Sequence, residues 1–346
     1  LASPHADILI KPVDGFGDRD SLRQLLATEK PDVLFLFTDP RFFMWVWQME
    51  DEIHQVCPIA YWHVWDNDPY PAFNSMFYEG TDLINCHSFK TFELVSKHFP
   101  EKTNFIPHAL PEELYFPMTS EDKKKHKLTL LGKDREDHFV GIWINRNAKR
   151  KRPNDVMMSW KLFLDNLEEK HGHRNATLIM HTDPQDQEGP NLFASADVIG
   201  VKDDVFFSPQ RIEFEQMNVL HNISDFCINI ALNEGFGLPT LEAMQCGNPI
   251  IAQKTGGLTR QVVDHRDESE NYCTNEKTAD AMMKMYELGP EGRDKIGKKA
   301  RAYVQSEFNL KDTIDRWDET LTDLIENWRK NKGNERAWKI KELKSS

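Results

Sequence analysis

The sequence lacks any apolar run that approaches the roughly 18 residues needed to cross a bilayer. It shows no recognisable signal peptide. It also lacks a surplus of positive charge, since its net charge is −13. General nucleic-acid binding requires a basic face that replaces counterions. We therefore expect a protein with no transmembrane segment and no nucleic-acid partner.

The sequence contains few cysteines, and their spacing does not suggest pairs. The five cysteines are odd in number and widely spaced, they lie mostly among apolar neighbours, and they form no CxxC pair or Cys/His cluster that would suggest a metal site. We therefore expect buried free thiols in a reducing compartment and assign a cytoplasmic location. The residues concerned are Cys57, Cys86, Cys227, Cys246 and Cys273.

What the sequence does contain is an alternation of short apolar runs and helical patterns along most of its 346 residues. The apolar runs are continuous, as in strands that are covered on both faces. This alternation is typical of βαβ units and predicts an α/β fold with parallel sheets. The predicted strands are 33–37, 59–64, 83–86, 105–106, 139–144, 177–180, 205–207, 226–230 and 249–252.

The strands fall into two groups, separated by a charged stretch at 121–138 that we interpret as a solvated connector. This organisation predicts two doubly wound, Rossmann-like lobes with an interlobe cleft as the natural ligand site. We assign 1–118 to an N-terminal lobe, with a C-terminal helix at 310–330 packing back on it. Residues 119–309 form the C-terminal lobe, and 331–346 form a polar tail.

The most informative segment is 233–244, which reads NEGFGLPTLEAM. A buried strand runs into a turn in which Gly235 and Gly237 allow backbone conformations closed to other residues and a close approach by a ligand. Pro239 suits the first turn of a helix, where its missing N–H costs little. The amides of 236–238 would then point from a helix N-terminus, which is a ready site for an anion.

Two carboxylates flank this turn, Glu234 at the strand end and Glu242 one turn into the helix. Because like charges repel, these carboxylates do not serve a phosphate and are better explained as acceptors for hydroxyl groups on a sugar or ribose. A phosphate site with hydroxyl acceptors on both sides fits a sugar nucleotide. The alternative is an ordinary strand–turn–helix in which Glu242 is a solvated helix residue.

This segment resembles the donor-site signature of retaining GT-B glycosyltransferases of the family 4 type (glycosyl transferases group 1). The likeness consists of Glu, seven residues and Glu within EGFGLPTLEAM, followed by CGNPIIAQKTGG. The resemblance implies that Glu234 contacts the hydroxyls of the transferred sugar and that Glu242 accepts from the ribose. It further implies that the diphosphate is bound by backbone amides at Gly235, Phe236, Gly237 and Leu238.

A basic run, NRNAKRKRP at 145–153, follows the predicted strand 139–144. A departing diphosphate requires positive charge or a metal ion, and cations at the carboxyl end of a strand can supply that charge. The family has an Arg here and a Lys about five residues later, a spacing that Arg146 and Lys151 match; Arg150 competes with Lys151. The run could instead be a nuclear localisation signal, a polyanion patch or a solvated loop.

The N-terminal lobe offers a second set of candidates. His63 lies near a predicted strand end, and the resemblance implies a His here beside the sugar and the reaction centre; a satisfied core histidine is the alternative. Asp66 and Asp68 form a DxD that could bind a divalent metal as in the GT-A class, but we expect no metal because the donor site is already accounted for. Segments 87–91 and 106–110 also resemble the family and are expected to support the fold.

The resemblance is weakest at the start of the chain. Family members usually begin with a strand and a Gly-rich loop that meets the acceptor and the diphosphate, and the DGFGD at 14–18 lacks a good preceding strand. The N-terminal lobe is also short. We therefore expect about 50 or more further residues before Leu1 in the complete protein.

The resemblance implies a retaining hexosyltransferase that uses a UDP or GDP sugar, needs no cofactor, and acts on a saccharide, lipid-linked or protein acceptor. No second carboxylate is placed as the nucleophile of a double displacement. The family is thought to react on one face, with the leaving phosphate taking the acceptor proton. Two alternatives stay open: a sugar-nucleotide epimerase on the same fold, and a non-catalytic subunit that binds a nucleotide sugar.

Overall fold

A computed structural model of the chain describes residues 8–65, 67–262 and 273–332. It divides into two compact units. Unit 1 comprises Leu1–Ile106 with Ile314–Ser346, and unit 2 comprises Pro107–Thr313. Within the described residues the structure has nine strands, and each predicted strand is confirmed with ends that differ by at most two residues.

Unit 1 is built on a four-stranded parallel sheet whose spatial order follows the chain. Leu34 lies opposite Ile59 across the first pair of strands, and Ala60 lies opposite Leu83 across the second. The strands are β1 (Leu34–Thr38), β2 (Ile59–His63), β3 (Leu83–Cys86) and β4 (Thr103–Phe105). The helices of the same segment are α1 (Arg19–Glu29), α2 (Met44–Trp47), α3 (Glu50–Ile53), α4 (Ser75–Glu79) and α5 (Phe89–Val95).

The sheet of unit 1 is covered by aromatic side chains on both faces. Tyr61 on β2 is fully buried, and the Trp47 ring lies edge-on to it at 5.4 Å between centroids. On the other face, Trp317 packs against Phe35 and Trp62 at 5.2 and 5.1 Å. The C-terminal helix that carries Trp317 therefore packs on this sheet.

Unit 2 is built on a five-stranded parallel sheet in the order β7-β6-β5-β8-β9. The strands are β5 (Phe139–Ile144), β6 (Ala176–His181), β7 (Val205–Ser208), β8 (Phe226–Asn229) and β9 (Ile250–Ala252). The helices are α6 (Ser120–Leu131), α7 (Pro153–His171), α8 (Leu192–Ile199), α9 (Phe214–Ile223), α10 (Leu238–Gln245), α11 (Leu258–Gln261), α12 (Asn275–Glu287) and α13 (Gly289–Glu307). The helix α14 (Leu310–Asn327) begins in unit 2 and continues into unit 1.

The centre of unit 2 is packed with large side chains. Trp143 on β5 and Trp160 on α7 are fully buried, as are Phe163 and Phe226. A Cβ at Gly141 would lie 2.7 Å from the Phe226 ring, so only glycine lets the β5 backbone approach that ring. This core fixes the central strands β5 and β8, whose carboxyl ends lead into the basic run and the Gly-rich turn.

The division between the units differs from the boundary placed at residue 118. Residues 107–118 belong to unit 2 because the backbone amides of Phe116 and Met118 donate to the side chains of Asn218 and Asn222 on α9, at 3.2 and 2.8 Å. Apolar spacing cannot reveal such bonds, which join residues about one hundred positions apart in the chain.

The interpretation of 121–138 as a solvated connector is wrong in part. Its first half is the helix α6, capped by Thr119, and two of its lysines are half-buried. Lys127 lies 3.9 Å from the Asp225 carboxylate, and burial lowers the pKa of Lys123 and of Lys127. The charged helix is therefore a packed part of unit 2.

Three further expectations concern the cysteines, the possibility of a membrane-spanning helix and the C-terminal tail. The five cysteines are unbridged and four of them are buried, which confirms the free-thiol prediction. No described helix combines the length and the apolar character that a membrane crossing requires. The predicted polar tail, 331–346, lies outside the described residues from 333 onward.

Candidate functional site

The Gly-rich turn joins β8 to α10 as the sequence predicts. The strand ends at Asn229, the helix begins at Leu238, and Pro239 occupies its first turn. Gly237 caps the helix with φ of +89°, a left-handed conformation that L side chains rarely adopt. A Cβ at this position would also lie 2.8 Å from the Leu258 side chain.

A second Gly-rich segment packs directly on this turn. A Cβ at Gly256 would lie 2.0 Å from the carbonyl oxygen of Glu234, and one at Gly257 would lie 2.4 Å from that of Gly235. The Gly257 amide donates to the Glu234 carbonyl at 2.9 Å. The two glycines are therefore needed for backbone-to-backbone contact, and this contact holds Glu234 in place.

The amides at the start of α10 meet the first requirement of an anion site. Among the bonds between described residues, the amides of Gly237 and Leu238 donate to no protein acceptor. The neighbouring Phe236 is anchored instead, with its ring edge-on to His108 at 4.9 Å and its carbonyl accepting from Gln261 at 2.9 Å. The turn is thus rigid while the dipole of the helix start can attract negative charge.

Glu234 and Lys151 form a buried ion pair beside the turn. The Lys151 ammonium donates to Glu234 Oε2 at 2.6 Å, and their side chains are 7% and 9% exposed. The side-chain amide of Asn229, the last residue of β8, donates to the same oxygen at 3.0 Å. Two residues that the sequence selected separately are therefore in direct contact.

The basic run reaches this position because it docks on the turn. Residues 149–151 form a short 3₁₀ turn, and the Leu232 amide donates to the Arg150 carbonyl at 2.8 Å. The exposed Arg150 guanidinium donates to the carbonyl of Asn233 at 3.1 Å. Lys151 and Arg150 thus lie on opposite sides of one loop, with Lys151 buried and Arg150 at the surface.

Arg146 is held by a different set of partners. Its guanidinium donates to both carboxylate oxygens of Asp186, at 2.7 and 3.2 Å, and lies 3.1 Å from Glu188. Its side chain is 59% exposed. The hydrogen bond from Arg146 lowers the pKa of Asp186, and the same bond raises the pKa of Arg146. Arg146 therefore lies at the carboxyl end of β5 as predicted, but paired with acidic residues.

Glu242 is mostly buried, so it is not a solvated helix residue. Its side chain is 15% exposed, and Oε2 lies 3.1 Å from Nε2 of the fully buried His221. Tyr115 is influenced by the same carboxylate: burial and the Glu242 charge raise the pKa of Tyr115. The Glu242 charge also acts on His181, at the end of β6. It raises the pKa of His181, but burial has the larger effect, and the pKa is lowered.

Sequence reasoning missed Asn229, His221 and Tyr115. His221 and Glu242 are 21 positions apart on different helices, so no spacing rule connects them. Tyr115 was assigned to the other lobe. Asn229 carried the one usable signal, because a polar residue at the end of an otherwise apolar central strand tends to face the ligand side of a parallel sheet.

His63 is a core histidine, and the expectation that it faces a ligand is corrected. It is fully buried in unit 1, with Nδ1 3.1 Å from the Tyr61 hydroxyl and Nε2 2.7 Å from the Tyr78 hydroxyl. Burial, reinforced by the nearby His87, lowers the pKa of His63 to about 3. The alternative of a satisfied core residue holds because both ring nitrogens are already bonded.

The structure describes only part of the DxD motif of unit 1. Asp66 lies outside the described residues, and Asp68 pairs with Lys90 at 3.0 Å. His87 supports the fold, as expected for the 87–91 segment: its Nδ1 lies 2.7 Å from the carbonyl oxygen of His63.

Comparison with known proteins relates the region of the turn to a large family. Residues 132–303 match the family described as Glycosyl transferases group 1. This range contains the basic run, the Gly-rich turn and both glutamates. The match is therefore confined to the part of unit 2 that carries the candidate site.

Two curated proteins illustrate the relationship in sequence. The chain is 24% identical over 266 residues to N-acetyl-alpha-D-glucosaminyl L-malate synthase of Bacillus anthracis. It is 27% identical over 113 residues to trehalose synthase of Pyrococcus horikoshii. These alignments cover 74% and 33% of this chain but 64% and 27% of the relatives, so the matched region spans less than two thirds of either relative.

Two solved structures illustrate the relationship in fold. Anabaena HepE in complex with UDP and glucose superposes with a TM-score of 0.71 at 18% identity, covering 90% of this chain and 84% of that one. Sucrose-phosphate synthase from Thermosynechococcus elongatus gives 0.68 at 17%, with 90% and 76% covered. The two parallel, Rossmann-like sheets therefore correspond to the GT-B fold, which confirms the predicted fold class.

Proposed function

We propose a specific reaction for this protein, because residues 132–303 match the glycosyl transferases group 1 family, whose description names transferases. It moves a hexose from a nucleoside-diphosphate sugar, with UDP or GDP as the nucleotide, to a hydroxyl acceptor, and the anomeric configuration is retained. The acceptor is a saccharide, a lipid-linked sugar or a protein. The HepE complex with UDP and glucose supports a nucleotide-sugar donor.

The observation that carries the proposal is the buried Lys151–Glu234 pair beside the open amides of Gly237 and Leu238. A desolvated ion pair is costly unless neighbouring groups compensate it, so its place next to an anion-binding turn favours a role in chemistry. Lys151 can carry positive charge to a leaving phosphate. Glu234 can accept from sugar hydroxyls, and Glu242 from the ribose.

The reaction proceeds on one face of the sugar. The bond between the anomeric carbon and the phosphate oxygen breaks, and the bond to the acceptor oxygen forms on the same side. The acceptor proton passes to the leaving phosphate oxygen. Lys151, the helix start and Arg146 stabilise the charge that builds on the diphosphate, so the proposed reaction needs no metal cofactor.

Two further points of the proposal are the location of the protein and the role of His63. Free thiols suit a reducing compartment, so we place the protein in the cytoplasm. His63 has no role in the proposed mechanism, because its ring nitrogens are bonded to Tyr61 and Tyr78 in the core of unit 1.

A ligand screen followed by product analysis tests the proposal. UDP, GDP and their hexose derivatives are screened by thermal shift, since a ligand that binds the folded state raises its stability. We expect one nucleotide family to raise the melting temperature, and slow hydrolysis of its sugar without added metal. Glu234→Ala should abolish this hydrolysis, whereas Glu169→Ala, at an exposed position on α7, should not.

Three results would contradict the proposal. Free epimerised nucleotide sugar as the product would favour an epimerase. Binding without turnover for every sugar nucleotide and acceptor would favour a non-catalytic subunit. Loss of activity with a chelator, restored by Mn²⁺, would replace the metal-free mechanism with one in which a DxD binds the donor.

A further inference from the structure

Glu242 is oriented by a buried histidine on a neighbouring helix. Its Oε2 lies 3.1 Å from Nε2 of His221, whose side chain is completely buried on α9. Asn248 and Ser224 fix the backbone there, since the Asn248 side-chain amide and the Ser224 backbone amide both donate to the His221 carbonyl. The backbone of His221 is therefore held in place at the end of α9, and its fully buried ring contacts Glu242 from there.

The ring nitrogens of His221 have distinct surroundings. Among the described residues Nδ1 is buried with no hydrogen-bond partner, whereas Nε2 faces the Glu242 carboxylate. A lone pair on Nε2 would repel that carboxylate, and a single proton on Nδ1 would be an unsatisfied buried donor. The Nε2 proton is therefore the one that His221 donates to Glu242.

Tyr115 completes the arrangement from another direction. It is 2% exposed, its ring centroid lies 6.1 Å from that of His221, and burial together with the Glu242 carboxylate raises the pKa of its hydroxyl. Glu242 itself keeps 15% exposure. One carboxylate oxygen is thus bound to His221 while part of the side chain stays accessible to a ligand.

We propose that His221 and Tyr115 are positioning residues that fix the Glu242 carboxylate so that it selects nucleotides bearing ribose hydroxyls. The proposal rests on the proposed function, in which Glu242 accepts from the ribose. A glutamate on a helix has several rotamers and would lose side-chain entropy on binding a ribose; one already fixed does not. The site then discriminates against a nucleotide whose pentose lacks the hydroxyl groups, because the Glu242 carboxylate would have no hydroxyl donor to accept from.

The test is the ratio of affinities for a ribonucleoside diphosphate and its 2′,3′-dideoxy counterpart. UDP with 2′,3′-dideoxy-UDP, and GDP with 2′,3′-dideoxy-GDP, are titrated calorimetrically into the full chain. We expect the wild type to prefer the ribose form by at least about tenfold, as for a hydrogen bond to a charged group. Glu242→Gln should reduce this preference.

Matched variants at one position separate positioning from structural damage. His221→Leu should bring the ratio close to one while the affinity for the dideoxy nucleotide stays unchanged. His221→Gln should restore the preference, because its terminal amide extends as far as Nε2. His221→Asn is too short and should behave like His221→Leu, and Tyr115→Phe should give an intermediate ratio.

The outcomes distinguish this inference from the function beneath it. If His221→Leu keeps the wild-type ratio while Glu242→Gln loses it, the positioning role is wrong and the ribose role of Glu242 stands. If the wild type binds nucleotides without preferring ribose, the ribose role of Glu242 is wrong and the positioning role falls with it. If no nucleotide binds, both the proposed function and this inference are overturned.

Discussion

The carboxyl ends of the two sheets carry buried polar residues of opposite character. In unit 1, His63 ends β2 and is bonded to two neutral hydroxyls, those of Tyr61 and Tyr78. In unit 2, Glu234 follows β8 and is bonded to the Lys151 cation. A neutral ring with satisfied nitrogens is stable in a core, whereas a buried ion pair carries a desolvation cost of several kcal/mol. Burial of a polar residue after a strand is therefore not enough to indicate a site, and we use the retained charge of Glu234 as the distinguishing feature in our proposal.

Breaking the ion pair is the strongest test of this contrast. Lys151→Met leaves the Glu234 carboxylate buried without its cation and should lower the free energy of unfolding by about 3 to 5 kcal/mol. Adding Glu234→Gln should recover much of that loss, because the uncompensated charge is removed. Urea unfolding measures both variants, and transferase activity should be lost in both.

A surface pair on the same unit provides the control. Lys161 pairs with Asp165 at 2.6 Å, but both side chains are about one third exposed or more. Lys161→Met should therefore cost less than about 1 kcal/mol. Equal losses in the free energy of unfolding for Lys161→Met and Lys151→Met would mean that the buried pair contributes no more to stability than a surface pair.

The contact between the two Gly-rich segments supports that pair and can be tested separately. Gly256→Ala would place a Cβ against the Glu234 carbonyl, in addition to the strain of a positive φ. We expect a loss of roughly 2 to 4 kcal/mol. Gly172 also has a positive φ but faces open space, so Gly172→Ala should cost only about 1 kcal/mol. Similar melting temperatures for the two variants would show that the turn does not need this contact.

Much of this architecture was readable from the sequence, for a physical reason. Strands covered on both faces are mostly apolar, so the apolar run at 139–144 predicts a strand with both ends correct. The Glu234 turn was readable because glycine and proline have narrow backbone roles. His63 was not, because its environment depends on Tyr78, which reaches it from another element. Tyr115 and His221 are likewise joined to Glu242 only by folding.

The pH dependence of stability tests the other half of the comparison, the neutral His63 in unit 1. The pKa of His63 is about 3 in the folded chain, below the 6.5 of an ordinary histidine, so the unfolded chain binds the extra proton. The contribution of neutral His63 is complete above pH 6.5 and is lost as the pH falls towards 3. At pH 5 the loss should be on the order of 2 kcal/mol.

Urea unfolding of the wild type and His63→Gln at pH 7 and pH 5 measures this contribution. The wild type should lose more stability than the variant between the two pH values. His181→Gln, in unit 2, should change the pH dependence less, because His181 is only half-buried and Glu242 opposes the lowering of its pKa. An identical pH dependence for the wild type and His63→Gln would show that the His63 ring is solvated.

The smallest expected effect concerns Arg146, the exposed counterpart of Lys151. The Arg146 side chain is 59% exposed in its pair with Asp186, so Asp186→Asn should change the free energy of unfolding by less than about 1 kcal/mol. Asparagine keeps the oxygen that accepts from the Glu188 amide at 2.9 Å, so the loop should retain its shape. Nucleotide affinity should rise a few-fold at low salt, because Arg146 is then less strongly held away from a diphosphate, and the gain should fade at high salt. Asp197→Asn, which removes a more exposed pair with Lys202, should change neither quantity. An unchanged nucleotide affinity in Asp186→Asn would exclude Arg146 from the diphosphate site and leave Lys151 and the start of α10 to bind the charge alone.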